Sequence, residues 1–228
     1  MMLISVIGTA CLLGQAKPVM MMPGIVSGRE PGRYEYKATI PVFSGDSAVL
    51  KLANKELDQR RAGLVKDFLL VANEDDGERT VPYSFEMGYT VSLARQEFVS
   101  VLLSHYEHTG GAHPNSYSHG VNIGVKDGTA RLLELDDLLK DRKQKQAFLD
   151  QVVWPKVNEV RYQRVNLKTD RLMAEKSYSF VVSSKNLTII FDRYEIGAYV
   201  EGEYVVKFAW LDIEKWVDAA ILRDFRES

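Results

Sequence analysis

The sequence predicts an α+β fold: mainly antiparallel strands, with one long N-terminal helix, a middle helix and a C-terminal helix. Three observations predict it. Apolar and polar residues alternate over many short runs, as on half-buried strands. The stretch Leu50–Phe68 instead spaces its apolar residues as one face of a helix. Turn signals such as Asp127-Gly128 join neighbouring runs as hairpins.

Taken in order, residues 1–16 form an apolar run with no charge before Lys17. The run is shorter than the ~20 residues a spanning helix needs. Its length and the closing Gly14-Gln15-Ala16 fit a signal peptide cleaved near Ala16. The expected location is therefore secreted or periplasmic, with no transmembrane span in the mature chain. Cys11 is the sole cysteine, so neither a disulfide framework nor a mature Cys nucleophile is expected. A lipid-anchored Cys11 is the alternative; Gly8 stands where a lipobox usually has Leu.

Residues 17–32 hold Pro18, Pro23 and Pro31 with Gly24, Gly28 and Gly32, and read as an extended linker. Tyr34, Tyr36, Ala38 and Ile40 alternate as a strand. Ser44-Gly45-Asp46 reads as a turn and helix cap, and the helix runs to about Val71 before a polar loop. Val81–Phe85, Tyr89–Leu93, Phe98–Tyr106 and Val121–Val125 read as strands. A helix follows from about Arg142 to Arg161, bent or broken at Pro155. Tyr178–Val182, Leu187–Phe191 and Tyr204–Ala209 are strands, and Ile213–Leu222 closes the chain as a helix. This organisation divides the ordered chain into an N-terminal α+β part, 33–125, and a C-terminal α+β part, 126–228.

A net charge of −2, from 29 basic and 31 acidic residues, makes no electrostatic case for nucleic acid or an anionic membrane. No nucleophile elbow, Walker loop or dinucleotide fingerprint occurs, and no cofactor is expected. Adjacent Asp136 and Asp137 read as a helix start rather than paired acids. Asp192 and Glu195 read as a polar strand end, with an acid pair as the alternative.

The sharpest local feature is that all four histidines, His105, His108, His113 and His119, fall in one window. Imidazoles so clustered raise the question of zinc, with Glu107 as an oxygen ligand. On a continuous strand His105 and His108 point to opposite faces, and no HExxH spacing is present, so the expected metal set is none. The intervening Thr109-Gly110-Gly111-Ala112-His113-Pro114 breaks the strand pattern, and its glycines suit a special backbone path. Among the tyrosines, Tyr106, Tyr194 and Tyr204 read as core residues. Tyr117 and Tyr199 lie in loop-like contexts that suit core packing or a binding patch equally.

The stretch from Ser100 through Tyr106-Glu107-His108-Thr109-Gly110-Gly111-Ala112-His113-Pro114 resembles the Tyr-x-x-Thr-Gly-Gly-Ala-His signature of a family of exported bacterial domains. That family includes the ectodomain of the lysozyme-sensing anti-sigma factor RsiV and the non-catalytic N-terminal region of the peptidoglycan deacetylase PdaC. Ile40–Phe43 with the Asn54 helix, Leu133–Leu139, and Ile190–Gly202 are similar to further pieces of the same pattern. The order and spacing of these pieces, across Arg33 to Val217, carry the resemblance. Gly197-Ala198 departs from the usual Ala-Pro. The resemblance implies two interlocked α+β parts and a lysozyme-like protein or peptidoglycan as ligand. With no sigma-binding segment and no deacetylase module, the chain is expected to be a stand-alone copy of the binding region.

The expected function is therefore a non-catalytic extracytoplasmic binding or sensor domain, without catalytic residues. Its candidate ligand contacts are His108, His113, Asn115, Tyr117 and Tyr199. Thr109, Gly110, Gly111, Ala112 and Gly202 are expected to shape the motif. A metal-dependent hydrolase built on His105–His119, or a structural envelope protein, is the alternative.

Overall fold

A computed structural model describes residues 19–74, 81–111, 113–161 and 171–226. The apolar run with Cys11, part of the polar loop after the long helix, and Ala112 lie outside the described residues. The fold is α+β. A six-stranded sheet contains β1 (Met21–Glu30), β2 (Tyr34–Phe43), β3 (Tyr83–Ala94), β4 (Phe98–His108), β5 (Asn115–Lys126) and β6 (Thr129–Leu132), in that order. A three-stranded sheet contains β7 (Ser179–Val182), β8 (Asn186–Phe191) and β9 (Tyr204–Ala209). All pairings are antiparallel except β2 with β3, between which the helix α1 (Ala48–Glu74) crosses over. Parallel neighbours need such a crossover, whereas the other strands turn back directly.

Helix α1 buries Leu50, Ala53, Leu57, Phe68 and Ala72 against one face of the larger sheet, meeting Ala38, Ile40, Val99, Val101, Leu103, Val121 and Ile123. Its cap is Ser47, whose hydroxyl accepts from the Leu50 N–H at 3.2 Å, one residue beyond the expected turn. Asn54 reaches from the helix to the end of β2, accepting from Phe43 N at 2.8 Å and donating to Phe43 O at 2.9 Å.

Three expectations are corrected. The segment read as an extended linker holds β1, an edge strand paired with β2 over its whole length. Pro23 is tolerated there because an edge strand leaves one side of its backbone unpaired. The Arg142–Arg161 helix is unbroken but irregular. A 3₁₀ turn (Arg142–Gln144) leads into α2 (Lys145–Phe148), a π turn (Leu149–Val153) and α3 (Trp154–Arg161). Pro155 has no N–H to give to the carbonyl four residues earlier, and the π turn directly before α3 accommodates this. The closing helix is two short ones, α4 (Trp210–Ile213) and α5 (Ala219–Arg226). Between them Val217 bridges Leu139, and Asp218 N donates to Leu138 O at 2.9 Å.

The smaller sheet, α2–α5 and the Leu133–Leu139 segment enclose a second apolar cluster around Phe148, Phe191, Tyr204 and Phe225. Phe98 of β4 also belongs to it, with its ring 4.6 Å from Phe225. Near this cluster Asp137 is fully buried, and Lys126, Arg131 and Arg142 all approach its Oδ1. Burial alone would raise its pKa. The Glu134 N–H and the cations outweigh burial and hold the carboxyl below its ordinary range. The Asp136-Asp137 pair thus ties a turn in place.

Candidate functional site

Strand β4 stays regular through His108, so side chains alternate to its end. His105 points toward α1 and is 6 % exposed. It packs among Phe85, Tyr117 and His119, with ring centroids 5.4, 5.0 and 5.3 Å away. Burial, then the neighbouring His119, presses its pKa down to about 4. Burial and then Arg60 lower His119 as well. Both rings are therefore neutral at pH 7. Nδ1 of His105 has no hydrogen-bond partner among the described residues. His108 lies on the other face, opposite Ser84 of β3. Among the described residues no three His, Cys, Asp or Glu side chains converge in a way that would hold a metal ion.

The loop after His108 turns through Gly110 at φ +90° and Gly111 at φ +88°, a region that disfavours side chains. A β-carbon at Gly110 would also come within 3.3 Å of the Tyr83 hydroxyl. Beyond the turn, His113 stacks on Tyr199 with ring centroids 3.9 Å apart and planes 22° from parallel. Tyr199 donates its hydroxyl to Pro114 O at 2.6 Å. His113 Nδ1 lies 3.2 Å from the same carbonyl. The guanidinium of Arg193 sits 5.1 Å over the Tyr199 ring, and Tyr194 lies 5.5 Å from it. Tyr194 is 46 % exposed and adopts φ +68°, unusual for a non-glycine residue.

The structure thus separates the sequence candidates. His113 and Tyr199 meet directly. Tyr117 is on β5, stacked on His105 on the helix-facing side, and is not in a loop. Asn115 opens β5 opposite Glu107, and His108 faces away from α1. Gly202, at φ +74°, ends the 3₁₀ turn Tyr199–Glu201. Tyr204 is buried and donates to Glu201 at 2.5 Å, as a core tyrosine should. Tyr106 and Tyr194 are exposed rather than core, because Tyr106 falls on the outer face of β4 and Tyr194 on a turn.

The sequence offers Asp192 and Glu195 as a polar strand end or an acid pair, and marks neither Glu203 nor Arg193 as functional. Asp192 accepts from Ser118 N at 2.8 Å, and Glu203 accepts from the Ser118 hydroxyl, so both hold β5. Glu195 accepts from Asp192 N at 2.9 Å. Burial, reinforced by Glu203, pushes Asp192 up to about 6 against the pull of the Ser118 N–H. Burial, with Asp192 nearby, pushes Glu195 up to about 7. The two links to Ser118 join positions more than seventy residues apart, and no local pattern announces them. The family departure at Gly197 also has a reason. A β-carbon there would lie 2.2 Å from Glu201 Oε2, which accepts from Ala198 N and Tyr204.

Two family models match successive stretches of the chain. Residues 30–116 match the family described as Deacetylase PdaC. Residues 136–210 match DUF3298, a protein family of unknown function. A search of curated proteins finds no match. A DUF3298 family member from Bacteroides fragilis superposes with a TM-score of 0.63 at 15% identity, covering 92% of this chain and 99% of that one. A DUF3298 family protein from Pseudomonas aeruginosa gives 0.57 at 18% identity, covering 89% and 94%. At these identities the likeness shows a shared fold. No helix among the described residues is long and apolar enough to cross a membrane. The chain is thus similar to the PdaC family over one stretch and to DUF3298 over another, the paired resemblance to which its motifs point.

Proposed function

We propose that this protein is a non-catalytic extracytoplasmic binding or sensor domain. Its contact surface is the patch where the Thr109–Pro114 loop meets the Asp192–Gly202 segment. The observation that carries this reading is the stack of His113 on Tyr199, flanked by Arg193 and the exposed Tyr194. Aromatic rings with wet polar edges and a nearby guanidinium supply contact area at low entropic cost, as recognition surfaces do. Tyr194 is exposed and has a left-handed backbone, a strain that fits a residue placed for contact. The family resemblance adds the ligand class: a lysozyme-like protein or a cell-wall glycan.

Capture assays with the mature protein, lysozyme and peptidoglycan fragments test the reading. One of the two classes should bind. Arg193→Ala with Tyr194→Ala should weaken that binding by about tenfold, roughly 1.4 kcal/mol, without lowering the melting temperature. Asn115→Ala should weaken it less. Undiminished binding by the double variant would remove the patch from the reading. Export is part of the proposal and rests on the uncharged apolar run before Lys17. N-terminal sequencing of protein recovered outside the cytoplasm should begin at or near Lys17; an intact Met1 there would contradict cleavage.

A further inference from the structure

We propose that the part of the outer face of the six-stranded sheet beside β7, around Tyr106, is a second, separate binding site: a groove that takes an uncharged oligosaccharide, with Tyr106 as its stacking platform. Strand register places side chains in rows across this face. Ser27, Lys37, Glu86, Tyr106 and Ser116 are successive cross-strand neighbours from β1 to β5. At the usual strand spacing that row is about 19 Å long, room for several sugar units. Two cavities lie along the face, of about 580 and 410 Å³, and both include Glu86 and Tyr106 in their walls. Tyr106 therefore stands where they join, 41 % exposed, with its ring available for stacking.

The glycine on the floor points the same way. Gly88 sits in the interior of β3, opposite Ser104. A β-carbon built on it meets nothing within 4 Å, and its φ lies outside the left-handed region. Neither backbone conformation nor crowding within the chain requires glycine here. Glycine weakens a strand interior, and one often marks close approach by a ligand. At Gly120, by contrast, the fold itself fills the space: a β-carbon would lie 1.9 Å from Phe180 O.

Charge selects the occupant. Arg29 lies opposite Glu35, and Lys37 opposite Glu86, so opposite signs alternate across the floor, and Glu203 in the wall adds one further carboxylate that disfavours an anion. Such a surface has little net field to attract a polyanion. Its hydroxyls, carboxylates and cations match the dense donors and acceptors of a neutral sugar chain. The groove does not include His113 or Tyr199, so it stands or falls independently of the patch.

Titration calorimetry with chitotetraose and cellotetraose tests the proposal, with heparin and lysozyme as charged and protein probes. At least one neutral tetrasaccharide should bind. Tyr106→Ala should weaken that binding about tenfold, and Tyr106→Phe should keep most of it. Gly88→Val should abolish it while leaving the melting temperature unchanged or higher, since a β-branched residue suits a strand with open space above it. His113→Ala with Tyr199→Ala should leave it intact. The proposal is overturned if neither saccharide binds, if binding survives Tyr106→Ala, or if only heparin or lysozyme occupies the groove. Patch variants that leave lysozyme and peptidoglycan capture undiminished, with saccharide binding retained, would instead remove only the proposed role of the patch.

Discussion

On the side of β4 and β5 that faces α1, Val99, Val101, Leu103, Val121 and Ile123 are all buried. The alternate residues of the same strands are Ser100, Ser118, Gly120 and Asn122, and they meet β7. The first face gains stability from area removed from water, which is strong but non-directional. The second gains position. Ser100 donates to Asn122 Oδ1 at 2.7 Å and accepts from Val182 N at 2.8 Å. Asn122 donates to Phe180 O at 2.8 Å. Ser179 accepts from Gly120 N at 2.7 Å and donates to Ser118 O at 2.9 Å. Each group has one geometry that satisfies it, so the smaller sheet docks in one register. The comparison shows how one strand pair can be both a core and a locating surface.

The harshest way to break the locating surface is Gly120→Val. Its β-carbon would lie 1.9 Å from a backbone oxygen that no side-chain rotation can move. A loss of about 3 kcal/mol or more is expected in denaturant melts. Near-native stability would mean that the two sheets part easily. Asn122→Ala should remove about 2 kcal/mol, because Phe180 O loses a buried donor. Adding Ser100→Ala should then change little, since the two side chains act together. Fully additive losses would show that the seam is a set of independent contacts.

The smallest effect separates the two faces by pH. Asp192 and Glu195, beside the seam, have pKa values raised to about 6 and 7. Their contribution to stability is complete below about pH 4 and is lost as pH rises through 6 to 7. His105, on the helix side, is lowered to about 4, so its contribution is complete above about pH 6.5 and is lost as pH falls through 4. Glu203, Arg193 and Lys176 surround the acids, and His119 adjoins His105. Between pH 4 and 6 the two trends oppose. Asp192→Asn with Glu195→Gln should leave the histidine trend alone. The variant's melting temperature should then climb with pH across that window more steeply than the parent's. Parallel curves would disprove the assignment.

The strands and α1 were legible because alternation and helical spacing are local consequences of burial on one face. β1 was not, because Pro23, Gly24 and Gly28 read as breakers. Gly28 is in fact filled from β2, with the Tyr36 ring 2.5 Å from where a β-carbon would be. The closing helix was overextended because nothing near Val217 reveals that Leu139 bridges it. For the site, the motifs nominated the His113 loop and the Tyr199 turn as segments. The ring stack that joins them depends on tertiary packing across more than eighty residues. Ser100 and Asn122, each in the middle of an apolar run, are the local signs of the polar seam.

The locating face also bears on the order in which the chain is made. Every partner that β7 gives to Ser100, Gly120 and Asn122 lies beyond residue 178. A growing or threading chain presents β4 and β5 well before those partners emerge. In the interval water satisfies the waiting hydroxyl and amide groups, while an apolar surface there would invite aggregation. The half-made protein is thus protected by the same chemistry that later locks it.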